Sequence, residues 1–177
     1  MFPYLIACVC TVAGIDQFCG GVNAPGLDRV LSITCEDQIV TIPDGDDEHT
    51  IVDDIVMRSA VVGPPAVTAG VFYKWYFEKE DMSYNSTRDE NGEWTTEIKV
   101  FMKQLKGAKT EVLNGMTGDN NIVIIKDRNG EQRLIGKIGD GCTVGVKEQT
   151  NPKNGYEVTI TWKSANAPFF YTGAITY

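Results

Sequence analysis

The spacing of apolar residues changes near residue 100, and this change constrains the possible fold more than any other feature of the chain. In residues 94–100 every second side chain suits a buried face, which predicts a strand with one face in the core. That face consists of Trp94, Thr96, Ile98 and Val100. Beyond it, apolar positions recur at spacings of three and four, which predicts a helix with one buried stripe. The stripe consists of Phe101, Leu105, Ala108 and Val112.

The end of the predicted helix is followed by a hairpin. Gly115 lies where the helix should end, because glycine adopts the left-handed conformation after a helix at little cost. Residues 121–126 form a β-branched run, and residues 134–136 form a second apolar run. Between them, Asn129 and Gly130 make the pair of residues most typical of a tight hairpin turn. The sequence therefore predicts a strand, a helix and a hairpin, with the helix packed on a β surface.

The rest of the chain is rich in valine, isoleucine, threonine and glycine, which favours further strands separated by turns. Its length fits one domain with a substantial core. We predict a single domain of residues 1–177 that is mainly β with one α-helix, built as a β-sandwich or barrel. The further predicted strands are residues 27–33, 39–42, 51–57, 71–78, 142–146 and 156–163.

The most aromatic predicted strand is residues 71–78. Alternation places the side chains of Val71, Tyr73, Trp75 and Phe77 on one face. We expect this strand to pair antiparallel with residues 94–100 in a long hairpin. The polar connection between them, residues 79–93, is then expected to project from the sandwich as a loop.

The N-terminal segment, residues 1–26, is predicted to form an arm. Residues 2–12 are apolar, but no basic residue precedes them and Pro3 interrupts them, unlike a secretion signal. We expect an ordered arm or first strand that a neighbouring subunit holds in place, because free chain ends usually fray.

The cysteines do not form a recognisable motif. Their spacing matches neither a zinc ribbon nor a redox motif. We expect small buried thiols in a reducing compartment, with a structural disulfide as the alternative. The five cysteines are Cys8, Cys10, Cys19, Cys35 and Cys142.

Catalytic and metal-binding motifs are not evident. His49 is the single histidine, so a site that needs two imidazoles cannot be assembled. The acidic residues 44–48 resemble the start of a calcium-binding loop, but the required glycine and late glutamate are out of register. Residues 136–141 lack the glycine spacing of a phosphate-binding loop. We expect a protein that is not an enzyme and that uses no metal and no cofactor.

The charge of the chain argues against nucleic-acid binding. The formal net charge is −8 and the sequence pI is near 4.6. Proteins that hold DNA neutralise its phosphates with lysine and arginine. We therefore expect this chain to repel DNA rather than bind it.

The order of these predicted elements resembles the tail-tube fold of long-tailed bacteriophages, which the tubes of contractile injection machines share. Residues 122–130, 134–136 and 154–159 are similar to segments of virion proteins from phages of Bacteroides-like hosts. Residues 25–27, followed by Glu36 and Asp37, fit the same group. The apolar N-terminal arm departs from the group. A ring protein of the neck or tail barrel therefore stays an alternative to a tail-tube protein.

The resemblance implies a virion structural protein of the tail or neck, made in the host bacterial cytoplasm. Six copies would form a ring by pairing strands edge to edge into a closed inner barrel, which removes exposed edges. The rings would stack and would contact other tail, neck or portal proteins. DNA would pass through them without specific binding, and no membrane partner is expected. The glutamates expected to face the lumen are Glu78, Glu80, Glu93 and Glu97. The residues expected to contact the next ring are Asp81, Tyr84, Arg88 and Asp89.

Two other classes of function compete with this interpretation. One is a β-sandwich that binds a receptor or a carbohydrate, with the aromatic rings of residues 73–94 as a platform for sugars. The other is a small β-rich enzyme, which the single histidine disfavours. Rings or tubes of purified protein would favour the conduit, and a monomer that binds glycans would favour the lectin.

Overall fold

The computed structural model describes residues 26–46, 49–63, 66–77, 81–116 and 120–177. Of these residues, 51% lie in strands and 8% in helices, so the prediction of a mainly β fold with one α-helix is confirmed. The predicted N-terminal arm lies outside the described residues, apart from Gly26.

The described chain contains twelve strands, one α-helix and one short 3₁₀ helix. The first half comprises β1 (Leu27–Cys35), the 3₁₀ helix (Glu36–Gln38), β2 (Ile39–Thr41), β3 (Thr50–Ile51), β4 (Val56–Met57), β5 (Tyr73–Tyr76) and β6 (Met82–Arg88). The second half comprises β7 (Trp94–Lys103), α1 (Gly107–Gly115), β8 (Asn121–Asp127), β9 (Gln132–Ile135), β10 (Thr143–Gln149), β11 (Gly155–Ser164) and β12 (Phe169–Tyr171).

Two large sheets form the two layers of a sandwich. The six-stranded sheet has the order β3-β12-β9-β8-β1-β5, and the four-stranded sheet has the order β10-β11-β7-β6. The main core lies between them, where Leu31 and Ile33 of the first sheet join Ile98, Val100 and Val158 of the second in one cluster of buried side chains. Successive side chains of a strand point to opposite faces of its sheet, so one apolar face on each sheet is enough to form this core.

A second core covers the other face of the six-stranded sheet. Ile122 and Ile124 of β8 point to this side, and Phe72 and Tyr171 pack with them. A small sheet of β2 and β4 lies at this second core. Strand β8 is therefore buried on both faces, which explains its unbroken β-branched run.

The hairpin of β8 and β9 confirms the prediction made from Asn129 and Gly130. The two strands pair antiparallel, and Gly130 has the positive φ of 98° that such turns require. The Asp127 carboxylate accepts hydrogen bonds from the backbone N–H groups of Asn129 (2.8 Å) and Glu131 (3.0 Å), which closes the turn.

The predicted hairpin between residues 71–78 and 94–100 is wrong. Strand β5 pairs with β1 in the six-stranded sheet, and β7 pairs with β6 and β11 in the four-stranded sheet. Residues 79–93, expected to be a projecting loop, contain β6 and contribute a full strand to the sandwich. The prediction failed because the polar residues of this segment conceal alternation, in which Met82, Tyr84 and Ser86 take the inner face.

Two other predicted boundaries need correction. Residues 51–57 do not form one strand, because β3 and β4 belong to different sheets with an irregular segment between them. Strand β7 continues to Lys103, and the helix begins only at Gly107. Phe101 and Leu105 therefore lie outside the helix that was predicted to carry them.

The buried side of the helix also differs from the predicted stripe. Leu113 is 2% exposed and packs in the main core, whereas Val112 is 54% exposed. The helix therefore presents Leu113, one position after Val112, to the core. The helix ends at Gly115 as predicted, but Gly115 is its last residue and has no positive φ, so the left-handed conformation expected of it is wrong.

Replacing Leu113 by alanine tests this assignment of the buried face. We expect Leu113→Ala to lower the free energy of unfolding by about 2–5 kcal/mol, because it leaves a cavity under the helix. Glu111→Ala, on the exposed side of the same helix, is the matched control and should change the free energy of unfolding by less than about 0.5 kcal/mol. Urea denaturation followed by circular dichroism measures both, and equal losses would contradict the assignment.

Candidate functional site

The one histidine has a structural environment. The Nε2 atom of His49 lies 2.7 Å from the backbone oxygen of Ala167, and its ring stacks on Phe169 with ring centroids 4.0 Å apart. Across residues 26–177, with the four short gaps left aside, no three acidic, cysteine or histidine side chains are grouped to hold a metal ion. None of the helices in these ranges has the length and apolar character to cross a lipid bilayer.

The feature that points beyond the fold of one chain is the pair of long open edges on the four-stranded sheet. Strands β6 and β10 lie at its two edges, and each is seven residues long. Within the described ranges, neither strand has a sheet partner on its outer side. An edge strand presents a row of backbone donors and acceptors that another chain can pair with.

The hydrogen bonds at the two ends of β6 show which of its backbone groups face outward. The N–H of Phe101 donates to the carbonyl of Asp81 (2.8 Å), and the N–H of Asp89 donates to the carbonyl of Glu93 (2.9 Å). In an antiparallel pair, alternate residues bond to the partner and the residues between them face away. The odd-numbered residues of β6 therefore bond to β7. Those that face the open edge are Met82, Tyr84, Ser86 and Arg88.

The same reasoning applies to β10. The N–H of Gln104 donates to the carbonyl of Asn154 (3.0 Å), so the even-numbered residues of β11 bond to β7 and the odd-numbered ones bond to β10. The residues of β10 whose backbone faces outward are Val144, Val146 and Glu148. Cys142, just before β10, fits the same alternation of even-numbered residues. Its backbone N–H and C=O face outward and exchange hydrogen bonds with the backbone of Asn121 in β8 (2.6 and 3.4 Å).

Neither edge strand has strong protection against pairing. Proline and a bulge are the usual devices that block an edge, and neither occurs in β6 or β10. The only charged residues in the two strands are Arg88, Lys147 and Glu148. Val146 exposes 42% of its surface on the outer strand.

The open face of the four-stranded sheet is polar and rich in hydroxyl groups. The strand registers place five threonines on this face, opposite to the core: Thr87, Thr95, Thr143, Thr159 and Thr161. Charged side chains of both signs lie among them, namely Glu97, Lys99, Lys147, Glu157 and Lys163. The face is therefore of mixed charge.

This arrangement changes the expectation of an acidic lumen wall. Glu97 lies on the open face, but its carboxylate forms an ion pair of 2.9 Å with Lys99. The hydrogen bond to Glu97 raises the pKa of Lys99, with a further contribution from its charge. Glu93 lies in the exposed turn between β6 and β7. Glu78 and Glu80 lie outside the described residues. The two described glutamates of the predicted lumen wall, Glu93 and Glu97, therefore do not form a cluster of acidic side chains.

The residues expected to contact a neighbouring ring are also dispersed. Asp81 is buried instead of exposed, since only 4% of its side chain is accessible. Its carboxylate lies 3.0 Å from the Nζ atom of Lys153. Lys103 lies on its other oxygen, at 3.8 Å. Tyr84 faces inward and packs against the main core. Arg88 and Asp89 are exposed at the turn.

The aromatic residues do not form a flat platform for sugars. In β5, Tyr73 and Trp75 point to the side of the main core, and Tyr76 points to the opposite side. Tyr73 and Tyr76 are both exposed, but on different faces of the sheet. Trp94 is half-buried on the inner face of β7. No observation on these residues favours the carbohydrate-binding alternative.

The two cysteines in the described part of the chain are free thiols. Burial raises the pKa of Cys142, and the nearby Asp140 raises it further, so the protonated thiol is favoured over the thiolate. Burial and the charge of Asp37 also raise the pKa of Cys35. Cys8, Cys10 and Cys19 lie outside the described residues.

Comparison of the chain with protein-family models, with curated proteins and with solved structures found no match.

The buried carboxylate of Asp81 gives a test of how the start of β6 is held. We expect Lys153→Ala to lower the free energy of unfolding by about 1–3 kcal/mol, because it leaves that carboxylate without its nearer cation. Lys99→Ala removes an exposed ion pair and is the matched control, with an expected change within the error of the measurement. Urea denaturation compares them. A loss for Lys99→Ala as large as that for Lys153→Ala would show that burial of Asp81 is irrelevant.

Proposed function

We propose that this protein is a structural subunit that assembles into a closed ring, in which β6 of one copy pairs with β10 of the next. The observation that carries the proposal is the pair of open edges of equal length on the same sheet. A chain with two complementary edges joins copies head to tail, and such an interface closes into a ring when the rotation per subunit permits.

The strand directions are compatible with this pairing. Neighbours in the order β10-β11-β7-β6 are all antiparallel, so β6 and β10 run in opposite directions. Placing β10 of a second copy beside β6 continues the same alternation across the junction. The four-stranded sheets would then form one continuous antiparallel barrel, which has no remaining edge.

The open face of this sheet suits the wall of a channel. On the inside of such a barrel it would present threonine hydroxyls and charges of both signs, with Glu97 paired to Lys99. Tight binding of a DNA backbone needs several lysines or arginines on neighbouring phosphates. Glutamates placed among the lysines weaken such binding and would let a duplex slide, without requiring the acidic lining that we expected.

We further propose that the ring belongs to a bacteriophage tail tube or neck. This step rests on the resemblance of the sequence to tail-tube proteins and on the net charge of −8. The conduit would carry DNA during ejection, and its six-fold symmetry follows from the same resemblance. The ring itself can be tested without any other virion component.

Replacing Val146 by proline tests the pairing of the edges. Its backbone N–H faces outward, and an edge strand accepts proline at such a position. We expect Val146→Pro to give a folded chain that does not assemble, because the new residue has no N–H for the neighbouring strand. Analytical ultracentrifugation and negative-stain electron microscopy measure assembly, and circular dichroism measures folding.

Two controls make this result specific. Val146→Thr keeps both the N–H group and β-branching, so it should assemble as the parent chain does. Ser86→Pro alters the facing edge on β6, where the N–H also points outward, and should likewise prevent assembly. Rings from a folded Val146→Pro protein would contradict the proposal, as would a parent chain that stays monomeric at high concentration.

A further inference from the structure

A deep apolar groove opens between the two sheets beside the helix. Its volume is about 640 Å³, and its walls come from β5, the end of β7 and α1. The apolar residues that line it include Trp75, Phe77, Phe101, Ala108, Val112 and Leu113. Three of these, Phe101, Ala108 and Val112, were predicted to share the buried stripe of a helix, but Phe101 lies in β7 and only the other two lie in the helix.

The groove leaves apolar surface in contact with water. Val112 is 54% exposed, and Ala108 is also exposed. Within the described ranges, no side chain covers these two residues. An apolar groove that is open to water is a candidate surface for a further segment of chain to cover.

The chemistry of residues 2–12 suits this groove. These residues are almost entirely apolar and carry no charge. In all of residues 1–25, the only charged side chain is Asp16. Asp81, Lys103 and Lys109 also line the groove. A neutral apolar segment can enter it without burying a charge of its own.

The described chain begins close to the groove. The carbonyl of Arg29 accepts a hydrogen bond of 2.9 Å from the N–H of Phe77, and Phe77 lines the groove. Gly26 is three residues before Arg29, a distance of roughly 10 Å along a strand. The connection from residue 13 to residue 25 can span up to about 45 Å, so residues 2–12 can reach the whole groove.

We propose that residues 2–12 dock in this groove on their own chain, with their apolar side chains against Trp75, Ala108 and Val112. A segment tethered at Gly26 has a high effective concentration at a groove so near, which favours its own chain over a second copy. The docking would link the start of the chain to the helix and both sheets. It does not depend on the proposed ring, because it occurs within one subunit.

Photo-crosslinking in the full-length chain tests the docking. A benzophenone amino acid in place of Val112 points into the groove, and one in place of Glu111, which is exposed on the same helix and does not line the groove, is the matched control. We expect position 112 to crosslink to residues 2–12, as mapped by mass spectrometry, and position 111 to give about tenfold less of that product. Crosslinks from position 112 to other segments only, or no crosslinks, would overturn the proposal.

Isotope mixing identifies which copy supplies the segment. Chains labelled with nitrogen-15 are mixed with unlabelled chains under unfolding conditions, refolded together and then irradiated. Docking on the same chain gives crosslinked peptides of a single isotope, whereas a mixed-isotope product would show that a second copy fills the groove and would refute the assignment.

A second variant guards against a probe that disturbs folding. If the chain with a probe at position 112 does not fold, the probe is placed at Ala108, which lines the same groove. Replacing Leu5 and Ile6 by serine should reduce the crosslink to residues 2–12 by about tenfold or more, since each removes an apolar side chain from the contact. An unchanged yield in that variant would also refute the docking.

Discussion

The antiparallel ladder between β7 and β11 is the interaction on which the rest of the structure depends. It is continuous over ten residues, from the pair of Trp94 and Ser164 to the pair of Lys103 and Gly155. Both strands lie at the centre of the four-stranded sheet, and their inner faces supply much of the main core. The ladder also fixes the positions and directions of the flanking strands β6 and β10. Any shift of its register by one residue would move the buried face of the sheet into solvent.

Much of this fold could be predicted from the sequence because most strands have a clear apolar face. Alternation located β7 and β11, and the turn residues located the β8–β9 hairpin. Strand β6 was missed because its inner face carries the polar residue Ser86. The Ser86 hydroxyl forms a hydrogen bond of 2.8 Å with the hydroxyl of Thr96, where an apolar side chain would make an apolar contact. The helix was placed too early because Phe101, still in β7, falls by chance at a helical spacing from Leu105.

The candidate site was less predictable, since it depends on the order of strands in a sheet. Pairing between β6 and β7 follows from a local turn, but the edge position of β10 depends on contacts between distant parts of the chain. The role of Asp81 could not be foreseen either. Its cation on Lys153 is remote in sequence, and only the fold brings them to 3.0 Å. The composition gives the net charge of the chain, but it could not indicate that Glu97 pairs with Lys99 on the open face.

In both edge strands, the residues whose backbone faces outward are those whose side chains turn toward the core. Tyr84 and Val144 are examples, whereas the side chains of Asn85 and Thr143 lie on the open face and their backbone groups are already bonded within the sheet. A neighbouring strand would thus contact main-chain atoms that every residue type except proline provides. Substitutions on the open face carry no such constraint. Over evolutionary time the surface sequence of this sheet can diverge until little similarity remains, while the main-chain edges of the proposed junction stay the same.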